Sequence, residues 1–103
     1  MSNVNWRSVL DELKQFVPEG KITTYGDLSA KFYGHNSAGT AIGTMLKAAV
    51  NDDIRNATFT NRVVGSRGEL INSNGQITQL TLEGIPIVDG KVVLDACKKA
   101  TLS

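Results

Sequence analysis

Residues 24–49 read TYGDLSAKFYGHNSAGTAIGTMLKAA, and this stretch decides the fold. Its first four residues have the form of a capping box. In it the hydroxyl oxygen of Thr24 accepts a hydrogen bond from the backbone N–H of Asp27 and starts a short helix. A glycine-containing turn follows, and Ser37 can cap a further helix predicted over residues 38–49. Two short helices joined by a tight turn predict a helix-turn-helix.

The second of these helices has two contrasting sides. Ile42, Met45 and Leu46 form its apolar face. The opposite side is built from small residues, namely Gly39, Thr40, Ala41, Gly43 and Thr44. Two glycines inside a helix cost about 1 kcal/mol each relative to alanine. Either this side packs closely on a neighbouring helix, or its backbone closely approaches an outside partner such as a nucleic-acid strand.

Shorter elements flank this unit. Trp6, Val9, Leu10, Leu13 and Phe16 recur at helical spacing and predict an amphipathic helix over residues 3–16, capped by Ser2 or Asn3. Residues 51–60 are polar and predict a loop. A short strand is expected at residues 62–64 and a short helix or turn at residues 80–82. The dipeptide Asp89-Gly90, between residues 85–88 and 91–94, indicates a β-hairpin. Residues 95–100 are expected to form a last helical turn.

The fold class is therefore mainly α with a small C-terminal β-hairpin, a winged helix-turn-helix-like single domain over residues 1–103. Eleven basic and ten acidic side chains give a net charge of +1. That balance excludes a highly basic tail but permits a local basic face. One cysteine (Cys97) and one histidine (His35) exclude an internal disulfide and argue against a structural zinc site, so no metal is expected.

Four ordered blocks carry a family resemblance. They are residues 17–28 (VPEGKITTYGDL), 41–43 (AIG), 62–68 (RVVGSRG) and 82–85 (LEGI). Together they resemble the C-terminal DNA-binding domain of O-alkylguanine-DNA alkyltransferase (methylguanine-DNA methyltransferase) and the stand-alone alkyltransferase-like proteins. The resemblance implies a protein that enters the DNA minor groove. It also implies that a guanine alkylated at its exocyclic oxygen is flipped into a pocket.

The motif that carries the reaction in the true transferases, proline-cysteine-histidine-arginine, is altered here. Residues 59–62 read FTNR, so Thr60 stands at the cysteine position and Asn61 at the histidine position. A threonine hydroxyl is much harder to deprotonate than a thiol, whose pKa is about 8.5, and an asparagine amide cannot act as a base at neutral pH. The chain is therefore expected not to be an enzyme and to need no cofactor.

The resemblance also assigns site residues. It implies a lesion pocket formed by Tyr25, Thr60, Asn61 and Glu83, in which Glu83 matches the transferases' glutamate. DNA contacts are expected at Tyr25, Ser37, Thr40, Ala41, Gly43, Lys47 and Arg67, with Arg62 in a structural role. Thr40 stands where the family places an arginine finger, and it is too short to span the base stack. Lys47 and His35 stay open as substitutes. His35 is otherwise read as a surface histidine, and Arg67 is read either as a phosphate contact or as a solvated surface arginine.

The function expected from the resemblance is that of a non-catalytic alkyltransferase-like protein linked to DNA repair. Its expected partners are double-stranded DNA, including DNA that contains alkylated guanine, and a protein of another repair pathway. A monomer without membrane association is expected, in the cytoplasm and, in a prokaryote, at the nucleoid. Two alternatives stay open: a degenerate family member that acts as a protein-interaction or regulatory module, and an active alkyltransferase that uses some unexpected group.

Overall fold

The computed structural model describes residues 4–71, 74–94 and 98–103. In chain order the elements are α1 (Trp6–Phe16), β1 (Thr23–Thr24), α2 (Tyr25–Tyr33), α3 (Gly39–Asp52), a 3₁₀ turn (Ile54–Asn56), α4 (Ala57–Thr60), β2 (Val63–Val64), α5 (Gln76–Leu82), β3 (Ile87–Val88) and β4 (Lys91–Val92). No helix in these ranges is long and apolar enough to cross a membrane. The prediction of a mainly helical fold with a small C-terminal hairpin is confirmed.

Helix α1 begins later than the sequence predicted. Its cap is Asn5, whose Oδ1 accepts a hydrogen bond from the backbone N–H of Ser8 at 3.0 Å. The predicted start at residue 3 is therefore wrong, because Asn5 satisfies an N–H group that has no partner within the helix. The predicted caps, Ser2 and Asn3, lie outside the described residues.

The helix-turn-helix consists of α2 and α3. Thr24 Oγ1 accepts from the Asp27 N–H at 3.0 Å, as predicted, and Gly34 ends α2 with a φ of 77°. Ser37 does not cap α3, which corrects the prediction, because its hydroxyl lies 2.8 Å from Nδ1 of His35. The buried hydroxyl of Ser29 instead accepts from the N–H of Ala38 at 2.8 Å and so fixes the turn against α2.

The helical core lies between α1, α2 and α3. Val9, Leu13, Leu28, Ile42 and Leu46 form one buried cluster. Burying a side chain of this size contributes about 1.5–3 kcal/mol. The apolar face predicted for α3 thus points into the core. On its small-residue side, Thr40 and Thr44 are exposed, whereas Gly39, Ala41 and Gly43 are half-buried.

The predicted loop at residues 51–60 is wrong. Helix α3 continues to Asp52, and the 3₁₀ turn and α4 follow it. The polar residues here act as caps rather than helix breakers. Asp53 Oδ1 accepts from the Arg55 N–H at 2.9 Å, and Asn56 Nδ2 donates to the Ala49 carbonyl at 2.9 Å. Local side-chain bonds of this kind compete with helix interiors but stabilise helix ends.

Two small sheets complete the fold. Strands β1 and β2 pair in parallel, and β3 and β4 form the predicted hairpin, with positive φ at Asp89 (52°) and Gly90 (76°). A second buried cluster joins the hairpin to the rest of the chain through Ile22, Val64, Leu80, Ile85 and Val92. Helix α5 is longer than the expected turn at residues 80–82.

The C-terminal segment runs beside β1. Lys98 accepts through its carbonyl from the Ile22 N–H, and Ala100 donates to the Ile22 carbonyl, both at 2.8 Å. This extended pairing replaces the predicted helical turn at residues 98–100, and residues 95–97, including Cys97, lie outside the described part.

Candidate functional site

A cavity of about 810 Å³ opens between α3 and the chain from α4 to α5, within the range of small-ligand pockets. Of the predicted site residues, the structure brings Tyr25, Thr40, Gly43, Lys47, Thr60 and Asn61 to its walls. The other lining residues are Gly39, Thr44, Leu46, Val50, Asn51, Ile54, Val63, Ile71, Asn74 and Gln76. Residues far apart in sequence therefore meet at one concave surface beside the second helix of the helix-turn-helix.

Tyr25 lies on the glycine-containing side of α3. A Cβ atom added to Gly39 would sit 3.7 Å from Tyr25 Cβ, and one added to Gly43 would sit 3.8 Å from Tyr25 Cε1. The small residues of α3 therefore make room for the aromatic ring of α2. Burial raises the pKa of the Tyr25 phenol above its usual value, so the hydroxyl stays protonated at neutral pH and can donate.

Thr60 and Asn61 form the floor of the cavity, where α4 ends. Both are buried, with 9% and 5% of their surface exposed. The Thr60 hydroxyl makes a long contact of 3.5 Å with the Ala57 carbonyl, which is weak at that distance. Its oxygen is therefore only loosely engaged by the protein.

Two glutamines that the sequence reasoning missed hold this floor. Gln76 Nε2 donates to the carbonyls of Asn61 and Val63, at 3.0 and 3.1 Å. Gln79 Oε1 accepts from Asn61 Nδ2 at 2.9 Å. A glutamine on a helix has no distinctive sequence pattern. The one signal was that Gln76 and Gln79 lie one turn apart on α5 and so share a face of the helix.

Glu83 does not line the cavity, which corrects the pocket inferred from the sequence. Its carboxylate pairs with the buried guanidinium of Arg62 at 2.8 Å, and the two side chains are 7% and 8% exposed. The carboxylate also accepts from the N–H of Gly20 at 3.2 Å and from Gln79 Nε2 at 3.0 Å. Glu83 lines a second cavity of about 580 Å³, together with Glu19, Thr78 and Leu82.

The charge state of Glu83 follows from these contacts. Burial raises the pKa of the Glu83 carboxyl, but hydrogen bonds from Arg62, Gly20 and Gln79 outweigh it and hold the pKa below its usual value. Glu83 is therefore an ionised acceptor at neutral pH. Arg62 also donates to the Val17 carbonyl at 3.3 Å and so joins three separate parts of the chain.

The predicted DNA-contacting residues fall into two groups. Thr40 and Lys47 are exposed on α3 and line the cavity, and Lys47 is the one charged side chain among the described lining residues. Ala41, Ser37 and Arg67 do not line it: Ala41 is half-buried on α3, Ser37 lies in the turn with His35, and Arg67 is exposed after β2.

Two exposed isoleucines at the cavity were also missed. Ile54 is 64% exposed and Ile71 is 56% exposed, and both line it. In the sequence, Ile54 stands between polar residues and Ile71 follows Leu70 ahead of a polar stretch, so neither position is distinctive. Residues 72 and 73, which follow Ile71, lie outside the described part of the chain, and Asn74 and Gly75 have positive φ angles of 55° and 74°.

Solved structures share this fold. One is that of S. pombe Atl1 in complex with damaged DNA containing O6-carboxymethylguanine, with 27% identity and a TM-score of 0.62. Another is that of S. pombe ATL in complex with DNA, with 25% identity and a TM-score of 0.62. Each match covers 87% of this chain and 87% of the other. No protein-family model and no curated protein sequence matches the chain. The similarity to alkyltransferase-like proteins inferred from the sequence is thus confirmed in the structure.

Proposed function

We propose that this protein binds duplex DNA through the minor groove and holds a guanine alkylated at its exocyclic oxygen in the cavity beside α3, without removing the alkyl group. The observation that carries the proposal is the position of this cavity. It opens at the small-residue side of the helix-turn-helix and has Thr60 and Asn61 at its floor. The structural neighbours are complexes with DNA, one of which contains an alkylated guanine.

Binding without transfer follows from the chemistry of the floor. A transferred alkyl group needs a nucleophile and a base within hydrogen-bond reach of it. Thr60 offers a hydroxyl, and Asn61 beside it donates through Nδ2 to Asn74 and Gln79. Glu83 is engaged by Arg62 behind the floor. No group at the described floor can take the proton from Thr60 at neutral pH.

The walls suit an alkylated base. Leu46, Val50, Ile54 and Ile71 supply apolar surface on which an alkyl group and the face of a purine can pack. Tyr25 stands at the same cavity with a protonated hydroxyl that can donate to a base edge or a phosphate. These contacts stabilise a base that has left the stack, at a cost in unstacking of a few kcal/mol.

The proposal extends to partners and location. A protein that holds a lesion without repairing it must pass it on, so we infer a second partner from another repair pathway. We further infer that the protein acts as a monomer and that it works where the DNA is, in the cytoplasm or at the nucleoid of a prokaryotic cell. Lys47 supplies positive charge at the cavity of a chain whose net charge is +1.

Fluorescence anisotropy with two labelled duplexes tests the proposal. The duplexes are identical except that one contains a single O6-methylguanine. We expect the lesion duplex to bind at least about tenfold tighter, a difference of about 1.4 kcal/mol. Equal binding of both duplexes would contradict lesion recognition.

The exposed rim supports a second candidate function, a protein-interaction module. Ile54 and Ile71 are exposed apolar side chains at the cavity, a kind of surface that a protein partner can also cover. Thr40 is too short to take the place of a flipped base in the stack. Titration of the ¹⁵N-labelled protein with DNA at low salt distinguishes the two functions. Amide shifts at Tyr25 and along α3 support DNA binding, and their absence favours the interaction module.

A further inference from the structure

Lys47 brings a positive charge to the wall of the cavity beside α3. It is exposed, and it lines the cavity together with Thr40, Gly43 and Thr44 of the same helix. Thr40 and Lys47 are seven residues apart, which is close to two helical turns. The two side chains therefore lie on one stripe of α3, and this stripe faces the cavity.

The protein supplies no counter-charge for Lys47 in the described ranges. The ion pairs found there join Arg55 to Asp53, Arg62 to Glu83 and Lys99 to Asp27. No aspartate or glutamate in these ranges lines the cavity. The cavity wall thus carries a positive charge that is not balanced by a neighbouring carboxylate.

The rest of the described wall is uncharged. Leu46, Val50, Ile54 and Ile71 are apolar, and the polar side chains are hydroxyls, amides and the Tyr25 phenol. A ligand that fills such a cavity removes water from the ammonium group of Lys47. A neutral ligand leaves this loss of hydration uncompensated, whereas an anionic ligand replaces it with a charge-assisted hydrogen bond.

We propose that Lys47 makes this cavity selective for guanine adducts whose alkyl chain ends in an anionic group, such as a carboxylate, over neutral adducts of the same shape. The inference rests on the proposed function. The chain starts at the exocyclic oxygen of the base, so a flipped base carries it into the cavity. There the apolar walls hold the chain and Lys47 binds its charged end. Lys47 is thus a specificity-determining residue.

The test compares adducts of similar length that differ in their terminal charge. Duplexes are prepared with an O6-(3-carboxypropyl), O6-(3-carbamoylpropyl) or O6-(4-aminobutyl) guanine, and with O6-methylguanine or unmodified guanine as references. Each is titrated by fluorescence anisotropy against the wild-type protein. We expect the carboxylate duplex to bind about fivefold tighter than the isosteric amide duplex, as for an exposed ion pair. The ammonium duplex should bind weakest of the three.

Variants assign the preference to Lys47. In Lys47→Met the ratio of amide to carboxylate dissociation constants should fall to about one or below, and in Lys47→Glu the ammonium duplex should bind tightest of the three. Both changes are at an exposed position, so the fold is expected to be kept. Arg55→Met is the matched control. It removes a cation beside Ile54 that does not line the cavity and is paired with Asp53 at 2.7 Å, and it should keep the wild-type ratio.

The outcomes separate the two proposals. If O6-methylguanine binds tighter than guanine but the three longer adducts bind alike, the role of Lys47 is overturned and the proposed function stands. The same holds if Lys47→Met weakens every duplex by one factor, because the lysine then acts on the phosphates that all duplexes share. If no adduct duplex binds tighter than the unmodified one, both proposals fail.

A measurement on the unaltered protein provides a second test. The attraction between an exposed lysine and a carboxylate is screened by salt. We therefore expect the preference of the wild-type protein for the carboxylate over the amide duplex to shrink as the salt concentration rises. A preference that is the same at low and high salt would overturn the inference.

Discussion

Tyr25 Cε1 lies 3.8 Å from the point where a Cβ atom of Gly43 would be. The ring of α2 therefore lies against the backbone of α3 at a position where the sequence has no side chain. This contact accounts for a glycine inside a helix, which is otherwise unfavourable. It also leaves ordinary van der Waals room for one methyl group.

Replacing Gly43 by alanine should therefore stabilise the fold. The added Cβ atom meets Tyr25 without overlap, and we expect a gain of about 0.5–1 kcal/mol from the higher helix propensity of alanine. Urea denaturation followed by circular dichroism measures it. Gly34→Ala is the control, because Gly34 has a φ of 77° in open space and alanine is strained there. A loss of stability in Gly43→Ala would show that Tyr25 packs more tightly on α3 than the structure indicates.

Breaking the Arg62–Glu83 pair should destabilise the whole domain. Glu83→Gln leaves the Arg62 guanidinium buried without its charge partner, at a cost of about 3–5 kcal/mol. Glu19→Gln, an exposed change in the same region, should stay within about 0.5 kcal/mol. Chemical denaturation of both variants provides the comparison, and similar midpoints would contradict a structural role for the pair.

The same pair predicts how stability depends on pH. The folded-state pKa of Glu83 lies below its ordinary value of 4.5. The ionised carboxylate is therefore favoured by folding, and its contribution is complete above pH 4.5 and is lost as the pH falls through the folded-state pKa. We expect the unfolding free energy of the wild-type protein to decline as the pH falls below 4.5. Glu83→Gln should decline less steeply over the same range, and parallel curves would show that other carboxyl groups set the acid limit.

Removal of the charge at Lys47 should weaken DNA binding in a salt-dependent way. If Lys47 neutralises one phosphate, the plot of log K against log salt becomes shallower in Lys47→Ala, and the magnitude of its slope falls by about 1. Arg7→Ala is the matched control, because Arg7 lies on α1 and its guanidinium packs over the Trp6 ring at 4.4 Å. Anisotropy over a series of salt concentrations measures both slopes. An unchanged slope in Lys47→Ala would place Lys47 away from the DNA backbone.

Restoring a thiol alone should not restore alkyl transfer. Thr60→Cys supplies the nucleophile, but Asn61 is no base and Glu83 stays paired with Arg62. After incubation with a duplex containing O6-methylguanine, we expect no mass increase in either the wild-type protein or Thr60→Cys. A methyl adduct on the wild-type protein would reveal an active transferase that uses another group.

The sequence predicted the elements whose cause is local. The Thr24–Asp27 cap, the Asp89-Gly90 hairpin and the inward face of α3 each depend on a few neighbouring residues. The helical part of residues 51–60 was missed because Asn56 bonds to the Ala49 carbonyl seven residues away, a contact that forms only once α3 and the turn after it have folded.

The cavity residues also divide into those that could be predicted from the sequence and those that depend on remote contacts. Tyr25 was inferred from the first family block, and Thr60 and Asn61 were inferred from the altered motif at residues 59–62. The structure brings all three to one cavity. Glu83 was misplaced because its orientation depends on Arg62 and Gly20, which are remote in the chain. Gln76 and Gln79 could not be found, because a glutamine becomes a scaffold only through the carbonyls that surround it.

The sharing of Gln79 between Asn61 and Glu83 has a consequence for how such proteins can diverge. The floor of the cavity is joined by hydrogen bonds to the buried ion pair, so a change there costs folding stability. Substitution of Ile54 or Ile71 should cost less folding stability, since both side chains are more than half exposed. Substitutions of these two side chains are therefore expected to change the size of adduct that fits at a lower cost in folding stability than substitutions at the floor.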